Sequence, residues 1–384
     1  MQSSPAAWIE TQQPAMLELL KDLVSIDSHS YYKEGVSQVF RRLETFFESV
    51  GLKTESHLVD GVEAALSVTV NAGGSGDRPV LLMGHCDTVF PRGEVAKRPF
   101  RIEGNRAYGP GVADMKAGVV MNAFIIASLV HSKQTSPEVT ALFTCDEEIG
   151  SPLSKSVIEI FAKKAAFVFN SEPGRPSGNV VTGRKGGIFL EMDVQGKAAH
   201  SGGNFSEGIN AISEIANKIV ELDKLTDLDQ GITVSVGLIS GGQSVNTSAP
   251  SAHASIDVRV KDLEQREQIM GRIRCLCNKN FITGTLSSLS VIGEFKPFVP
   301  SPDSLALFRL YQETLAGLGH KTEQEFSGGC ADSGVTSSLG AITLCATGPI
   351  GGKFHTPDEY TEIDSFVPRA KAVLLTLSKV HAAF

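Results

Sequence analysis

The sequence has 384 residues, 41% of them hydrophobic and 20% charged. That is an ordinary folded composition in a chain too long for one simple core, so it excludes disorder and predicts two domains. Lys and Arg number 35 against 43 Asp and Glu, a formal charge of −8 spread along the chain, which argues against nucleic acid or an anionic membrane as partner. No run approaches the roughly eighteen apolar residues of a membrane span. Met1–Glu10 lacks the basic start and apolar core of a signal peptide. Six scattered cysteines read as reduced thiols of a cytoplasmic protein, and 38 glycines imply many tight turns around a site.

In chain order, Leu17, Leu20, Leu23 and Val24 recur at helical spacing, as do Val36, Phe40, Leu43, Phe47 and Val50. Ala65–Val70 and Pro79–Met83 read as strands, the second continuous enough to be buried on both faces. Asp114–Val130 has helical length and period, and Val139–Thr144 and Ala166–Phe169 are further strands, so strands alternate with helices as in an α/β sheet. The texture changes near Gly183. Gly187–Val194 alternates like a half-exposed strand. It is followed by a helix (Ile209–Leu222), two strands (Thr233–Leu238, His253–Val260), a helix (Leu263–Cys277) and a strand (Leu286–Phe295). The α/β texture returns with a helix at Leu305–Leu318, a strand at Ala341–Ala346 and a helix at Phe366–Val380. The prediction is an α/β domain with a mixed, mostly parallel sheet built from residues 1–182 and 299–384. Residues 183–298 form an inserted α+β sandwich with a four-stranded antiparallel sheet and two helices.

Chemistry gathers just after the predicted strands. In His85-Cys86-Asp87 the residues two apart share a face, so Asp87 can grip one imidazole nitrogen of His85 and leave the other for a metal; a polar strand end would read the same way. The glycine-rich turn Tyr108-Gly109-Pro110-Gly111-Val112-Ala113-Asp114 delivers Asp114 either as a helix N-cap or as a carboxylate able to bridge two cations. Asp146-Glu147-Glu148 follows the apolar Ala141-Leu142-Phe143. Three adjacent carboxylates repel, and either solvent or a cation at the sheet's ligand-binding edge relieves them. Glu172, in Asn170-Ser171-Glu172-Pro173, and His355, in Lys353-Phe354-His355, complete a mixed imidazole and carboxylate set of the kind that suits zinc or a similar ion.

These segments, in this order, resemble the di-zinc exopeptidase and deacylase family. The likeness is greatest to its carboxypeptidase G (glutamate carboxypeptidase) branch, through Phe100-Arg101, Glu103-Gly104 and Ala107-Tyr108-Gly109-Pro110-Gly111. The resemblance runs from about residue 15 to the end of the sequence. It implies two Zn2+ per chain, with Co2+ or Mn2+ as alternatives. Asp114 would bridge the ions, His85 and Glu172 would complete one site, and Glu148 and His355 the other. By the same resemblance, two cations sharing a water would lower its pKa, Glu147 would act as general base, Asp87 would orient His85, and the peptide after Asp114 would be cis. His200, in Lys197-Ala198-Ala199-His200-Ser201-Gly202, matches a histidine that serves the other subunit's site as oxyanion donor, which implies a homodimer through the inserted lid domain. Asn246 and Arg259 match positions that meet substrate, although as residues alone these three read as a surface histidine, a turn residue and an exposed strand arginine.

One departure concerns specificity. Where carboxypeptidase G carries an arginine before a proline for the terminal carboxylate of glutamate, this chain has Lys296 in Glu294-Phe295-Lys296-Pro297-Phe298. Lys296 keeps the charge without the bidentate fork, in surroundings that Phe295 and Phe298 make apolar. The loop with Gly328 and Gly329 is expected to face the cleft. Cys86, Cys145 and Cys330 are read as packing thiols, and Cys275 and Cys277 as diverging on a helix. The implied activity is hydrolysis of an amide bond in a small N-acyl or peptidyl amino acid with a free carboxylate, releasing the C-terminal amino acid. An N-acyl-amino-acid amidohydrolase and a catalytically silent binding member are the alternatives.

Overall fold

The computed structural model describes residues 4–71, 78–132 and 137–384, so residues 1–3 of the N-terminal stretch considered above lie outside the described residues. The chain divides into two compact units, one comprising Met1–Gly183, Val299–Ser327 and Asp332–Phe384, the other Arg184–Phe298 and Gly328–Ala331.

The chain opens with helices α1 (Pro5–Ile9), α2 (Gln13–Val24) and α3 (Lys33–Ser49), then strands β1 (Glu55–Val59), β2 (Val62–Asn71) and β3 (Val80–His85). Next come α4 (Glu94–Lys97), β4 (Arg101–Glu103), β5 (Arg106–Tyr108), α5 (Gly118–Ser132), β6 (Glu138–Thr144), α6 (Lys155–Lys164), β7 (Phe167–Asn170) and β8 (Val180–Arg184). The second unit contains β9 (Gly186–Gln195), α7 (Ala211–Asp223), β10 (Thr233–Gly241), β11 (Ser251–Val260), α8 (Leu263–Asn278) and β12 (Leu286–Phe295). The first unit is completed by α9 (Pro302–Gly317), β13 (Gln324–Ser327), α10 (Ser333–Ser338), β14 (Ile342–Cys345), β15 (Gly351–Gly352), β16 (Tyr360–Glu362) and α11 (Phe366–Ala383).

Among the described residues, the main sheet of the first unit has the order β1-β2-β6-β3-β7-β14-β8-β13. Its centre is parallel, with β3 paired to both β6 and β7, and β7 to β14. Every residue of β3 and β7 is buried, which explains their unbroken apolar runs. Helix α5 is apolar almost all round because it lies between the sheet (β2, β3, β6) and helices α1, α2, α3 and α11. The stretch Val112–Ser132 is long and apolar enough to cross a membrane, but 94% of its most apolar window is buried inside the fold. The helix expected from Asp114 begins only at Gly118. Asp114 (φ −108°, ψ 93°) and Met115 (φ −130°, ψ 40°) are non-helical and belong to an irregular turn over Val112–Ala117. A small second sheet, β15-β16-β5-β4, pairs Tyr360 with Tyr108. Guanidinium groups cover its rings, Arg101 4.2 Å above Tyr108 and Arg106 4.0 Å above Tyr360.

In the second unit the sheet order is β10-β11-β9-β12, all antiparallel. Ile188, Leu190, Met192, Ile256 and Val258 point to one face and pack against Leu222, Ile269, Met270 and Ile273 of the two helices. Asn210 caps α7 and Asp262 caps α8. A fully buried ion pair, Glu214–Lys218 at 3.1 Å, is tolerated because the ammonium and the second carboxylate oxygen find further partners. Lys218 Nζ donates to the carbonyls of Leu276, Cys277 and Lys279, and Glu214 Oε2 accepts from Phe281 N and Ile282 N.

Candidate metal and catalytic site

Strands β6, β3 and β7 are neighbours and run parallel, so the residues that follow their C-terminal ends converge. His85 ends β3. Its Nδ1 is 3.1 Å from the Asp87 carbonyl oxygen and 3.3 Å from Asp87 Oδ1, while Nε2 is 3.3 Å from Asp114 Oδ1. Glu147 Oε2 and Glu172 Oε1 each lie 3.9 Å from the same nitrogen. On the other side, Asp114 Oδ2 is 3.3 Å from His355 Nε2, which is 3.2 Å from Glu148 Oε2. The two oxygens of one carboxylate therefore face two clusters, His85 with Glu147 and Glu172, and His355 with Glu148.

The backbone explains these positions. Gly111 has φ +70°, and a Cβ there would lie 2.3 Å from Thr88 Cγ2, so only glycine turns the chain at this point. A Cβ on Gly118 would lie 2.0 Å from Ser171 O, so glycine lets the start of α5 approach the loop that carries Glu172. The Asp114–Met115 peptide is cis, as the resemblance implies. Asp87 is fully buried and accepts from Ser30 Oγ at 2.6 Å and from Glu147 N and Glu148 N at 3.1 Å each. It thus contacts His85 at Nδ1 and fixes the backbone of both glutamates. His355 takes the left-handed conformation, φ +60°, and its side chain is half exposed.

Three acidic residues near the site had no assigned role in the sequence. Asp146 faces away, accepting from Leu153 N, Ser154 N and Ser154 Oγ. Asp332 is buried beside Glu147 and Glu172 and accepts from Ser151 Oγ at 2.6 Å. Glu359, almost fully buried, accepts from the backbone of the Asp114 turn.

Burial and like charges dominate the electrostatics. Burial pushes the Glu147 carboxyl well up; the His85 charge opposes this, while Glu172, Asp332 and Glu148 add to it. Burial and Asp114 push Glu148 up to about 7, and burial takes Asp332 to about 7 and Glu359 to about 8. Hydrogen bonds to Asp114 and Glu148 raise His355 to about 10. Against its own burial, Asp114 is held below the usual carboxylate range by His355 and His85. Buried carboxylates thus crowd two imidazoles, and Glu148 Oε1 is buried without a hydrogen-bond partner. Ligand atoms lie within 4.8 Å of one another in His85, Asp114 and Glu148, and again in His85, Glu147 and Glu172. Imidazole nitrogen with carboxylate oxygen is the donor set of zinc, cobalt and manganese, so the residues present fit divalent ions. Cys86 and Cys145 are buried thiols pushed up by burial and take no part in these groups.

The remaining candidates lie in the second unit, in two groups. Ser201 N donates to Asn246 O, and His200 bridges Thr247, so His200 and Asn246 are neighbours beyond the Gln195–Ser251 end of the sheet. His200 Nδ1 accepts from Gly202 N and Gly203 N, both at 3.1 Å. Arg259 pairs with Gly187 near the opposite end, where Phe295 also pairs with Gly187 and Lys296 follows. Asp257 holds Arg259 through two hydrogen bonds, 2.8 and 2.7 Å, and Arg259 Nη1 reaches Cys330 Sγ at 2.6 Å. Arg184 donates to the carbonyls of Gly329 and Cys330, which fastens the Gly328–Ala331 loop within this unit. Phe295 and Phe298 do not make an apolar surface around Lys296. Both are buried: Phe295, the last residue of β12, lies edge-on to Phe189 at 6.1 Å, and Phe298 is held in an antiparallel bridge to Arg184. Cys275 is exposed and Cys277 buried, diverging on α8.

Residues 81–379 match the model of peptidase family M20/M25/M40. Over 272 residues the chain is 31% identical to carboxypeptidase G2 of Pseudomonas sp. (strain RS-16), covering 67% of this chain and 65% of that protein, so the match spans just under two thirds of the relative. It is also 31% identical over 266 residues to acetylornithine deacetylase of Vibrio atlanticus, covering 65% of this chain and 68% of that one. Among solved structures, the M20 family metallo-carboxypeptidase Sso-CP2 of Sulfolobus solfataricus shares the fold with a TM-score of 0.76 at 20% identity, over 94% of this chain and 98% of that one.

Proposed function

Since the chain belongs to peptidase family M20/M25/M40, we propose that it is a metal-dependent amide hydrolase. Its substrate is a small peptidyl or N-acyl amino acid with a free carboxylate, and it releases the C-terminal amino acid in the cytoplasm. The observation that carries this reading is Asp114, whose two oxygens face separate imidazole and carboxylate clusters. In this reading Asp114 would help to hold both ions, His85 and Glu172 one of them, and Glu148 and His355 the other. Two divalent ions, zinc foremost with Co2+ or Mn2+ in its place, supply Lewis acidity to the amide carbonyl and acidify water.

The chain's own groups do the rest. Asp87 at Nδ1 keeps the Nε2 lone pair of His85 turned toward Asp114. Glu147 takes a proton from water and returns it to the leaving nitrogen, a shuttle suited by the burial that raises its proton affinity. Because Nδ1 of His200 accepts two N–H groups, the neutral ring carries its proton on Nε2, free to donate to the carbonyl oxygen as negative charge builds there. Arg259, Lys296, Gly328 and Gly329 meet the substrate at one end of the small sheet, and Asn246 at the other.

The spacing of those two ends supports a homodimer in which the inserted unit reaches the partner's site. Arg259 and Ser251 are separated along β11 by ~26 Å at the usual strand rise, whereas a dipeptide spans roughly 7 Å. One unit cannot bring His200 and Arg259 to one small substrate, so His200 and Asn246 serve a second copy. Mixing inactive His200→Ala with inactive Glu147→Ala should therefore restore about a quarter of the wild-type rate after subunit exchange, from the one whole site in each mixed dimer. An unrestored mixture would place His200 elsewhere.

The reading is tested by metal content and by hydrolysis of N-acyl and dipeptidyl amino acids varied at the C-terminal residue. Chelator-sensitive cleavage with about two ions per chain supports it, and absence of metal after reloading overturns it. Lys296 carries a positive charge with no ion pair among the described residues, while the Arg259 fork is held by Asp257. Lys296→Ala should thus lower kcat/KM by about 10- to 100-fold, the worth of a charged hydrogen bond, and Lys296→Arg should retain activity and favour substrates ending in a dicarboxylic acid. An unchanged kcat/KM in Lys296→Ala would assign carboxylate recognition to Arg259.

A further inference from the structure

We infer that Glu359 is a positioning residue for the metal cluster, setting Asp114 against His355; this rests on the reading of the site given above. Glu359 is 1% exposed and lies four residues after His355. Its Oε1 accepts from Ala113 N at 2.8 Å and Asp114 N at 2.9 Å, and its Oε2 from Gly111 N at 3.3 Å. All three of its hydrogen bonds come from backbone N–H groups, so both carboxyl oxygens act as acceptors for the turn. The amides of Ala113 and Asp114 belong to the irregular turn before α5, and that of Gly111 immediately precedes it, so no helical carbonyl is available to them. The next residue, Tyr360, pairs with Tyr108, immediately before Gly109. The segment that carries His355 and the turn that carries Asp114 are therefore joined twice, by a strand pairing and by one carboxylate on three backbone amides. The contact of Asp114 Oδ2 with His355 Nε2, at 3.3 Å, is set by that brace.

Glu359→Gln keeps the shape but turns an amide NH2 toward backbone donors. The full-length variant, stripped and then titrated with Zn2+ against a chromophoric chelator, should lose roughly 10- to 100-fold in affinity for one of two equivalents. At saturating zinc, kcat should remain lowered with KM unchanged. Glu359→Asp, which keeps the charge but is too short for all three amides, should fall between this variant and wild type, and it carries the test if Glu359→Gln does not fold. A merely structural role would lower the unfolding temperature of the stripped protein and leave both zinc affinities of the folded variant at wild-type values, and that result overturns the inference. A wild-type chain that binds no zinc overturns the underlying reading of the site instead.

Discussion

Glu147→Ala should keep its metal and lose turnover by about 10²- to 10⁴-fold, the usual contribution of a positioned acid–base group. The argument rests on what the substitution leaves in place. Asp87 holds the backbone N–H groups of residues 147 and 148, not the Glu147 side chain, so Glu148 keeps its position in the variant. Asp114, His85, Glu172 and His355 are likewise untouched. The lost group is a buried carboxyl pushed well up by its own burial and by Glu172, Asp332 and Glu148. Removing it relieves like-charge crowding, so the variant should unfold no earlier than wild type, as expected of a group retained for function at a cost in stability. Steady-state kinetics, metal analysis and thermal unfolding on one preparation read all three. Near-normal turnover would remove Glu147 from the role of base, and loss of one ion would make it a ligand.

His85, Glu148 and Glu172 stood out as candidate ligands because each lies at or just past the end of a strand whose burial leaves a plain pattern, whereas Asp114 and His355 follow glycine-rich segments. Val80–His85 and Phe167–Asn170 are buried on both faces, so their apolar runs mark strand ends, and the parallel order of the sheet brings those ends together. Glu359 was not legible, since its partner at Asp114 N lies 245 residues away and it belongs to no periodic face. Asp146 was equally opaque. It looks like Glu147 and Glu148 in sequence, but it is used up on the backbone of Leu153 and Ser154. Helical periodicity across Asp114–Val130 ran through the turn because the apolar side chains of the turn and of α5 both enter one core, whatever the backbone does. Strands β4, β5 and β16 are three residues each with charged ends, too short for alternation to register. The burial of Phe295 and Phe298 is a tertiary fact, invisible in a segment that reads simply as aromatic residues around a lysine.

Chelation should abolish turnover and lower the unfolding temperature, and reloading should restore both. An ion held at about a thousand times its Kd stabilises the folded state by about 4 kcal/mol. Two such ions, at about 2 °C per kcal/mol for a chain of this size, shift unfolding by on the order of 10 °C. All the proposed ligands belong to one compact unit, so the shift should appear in that unit's transition and leave any separate transition of residues 184–298 in place. The sign of the pH effect follows from competition with protons. In the metal-free chain His355, raised to about 10, already holds a proton that the metal must displace, and Glu148, pushed up to about 7 by burial and Asp114, adds a further one below that pH. The stabilisation by metal should shrink as pH falls from about 8 to about 6, with protons released on binding. Calorimetric titration in buffers of different ionisation enthalpy measures that release directly. A chelated protein that unfolds at the same temperature as the loaded one would mean that these buried carboxylates are neutralised without a cation, and the assignment of Asp114 as a bridging ligand would fall with it.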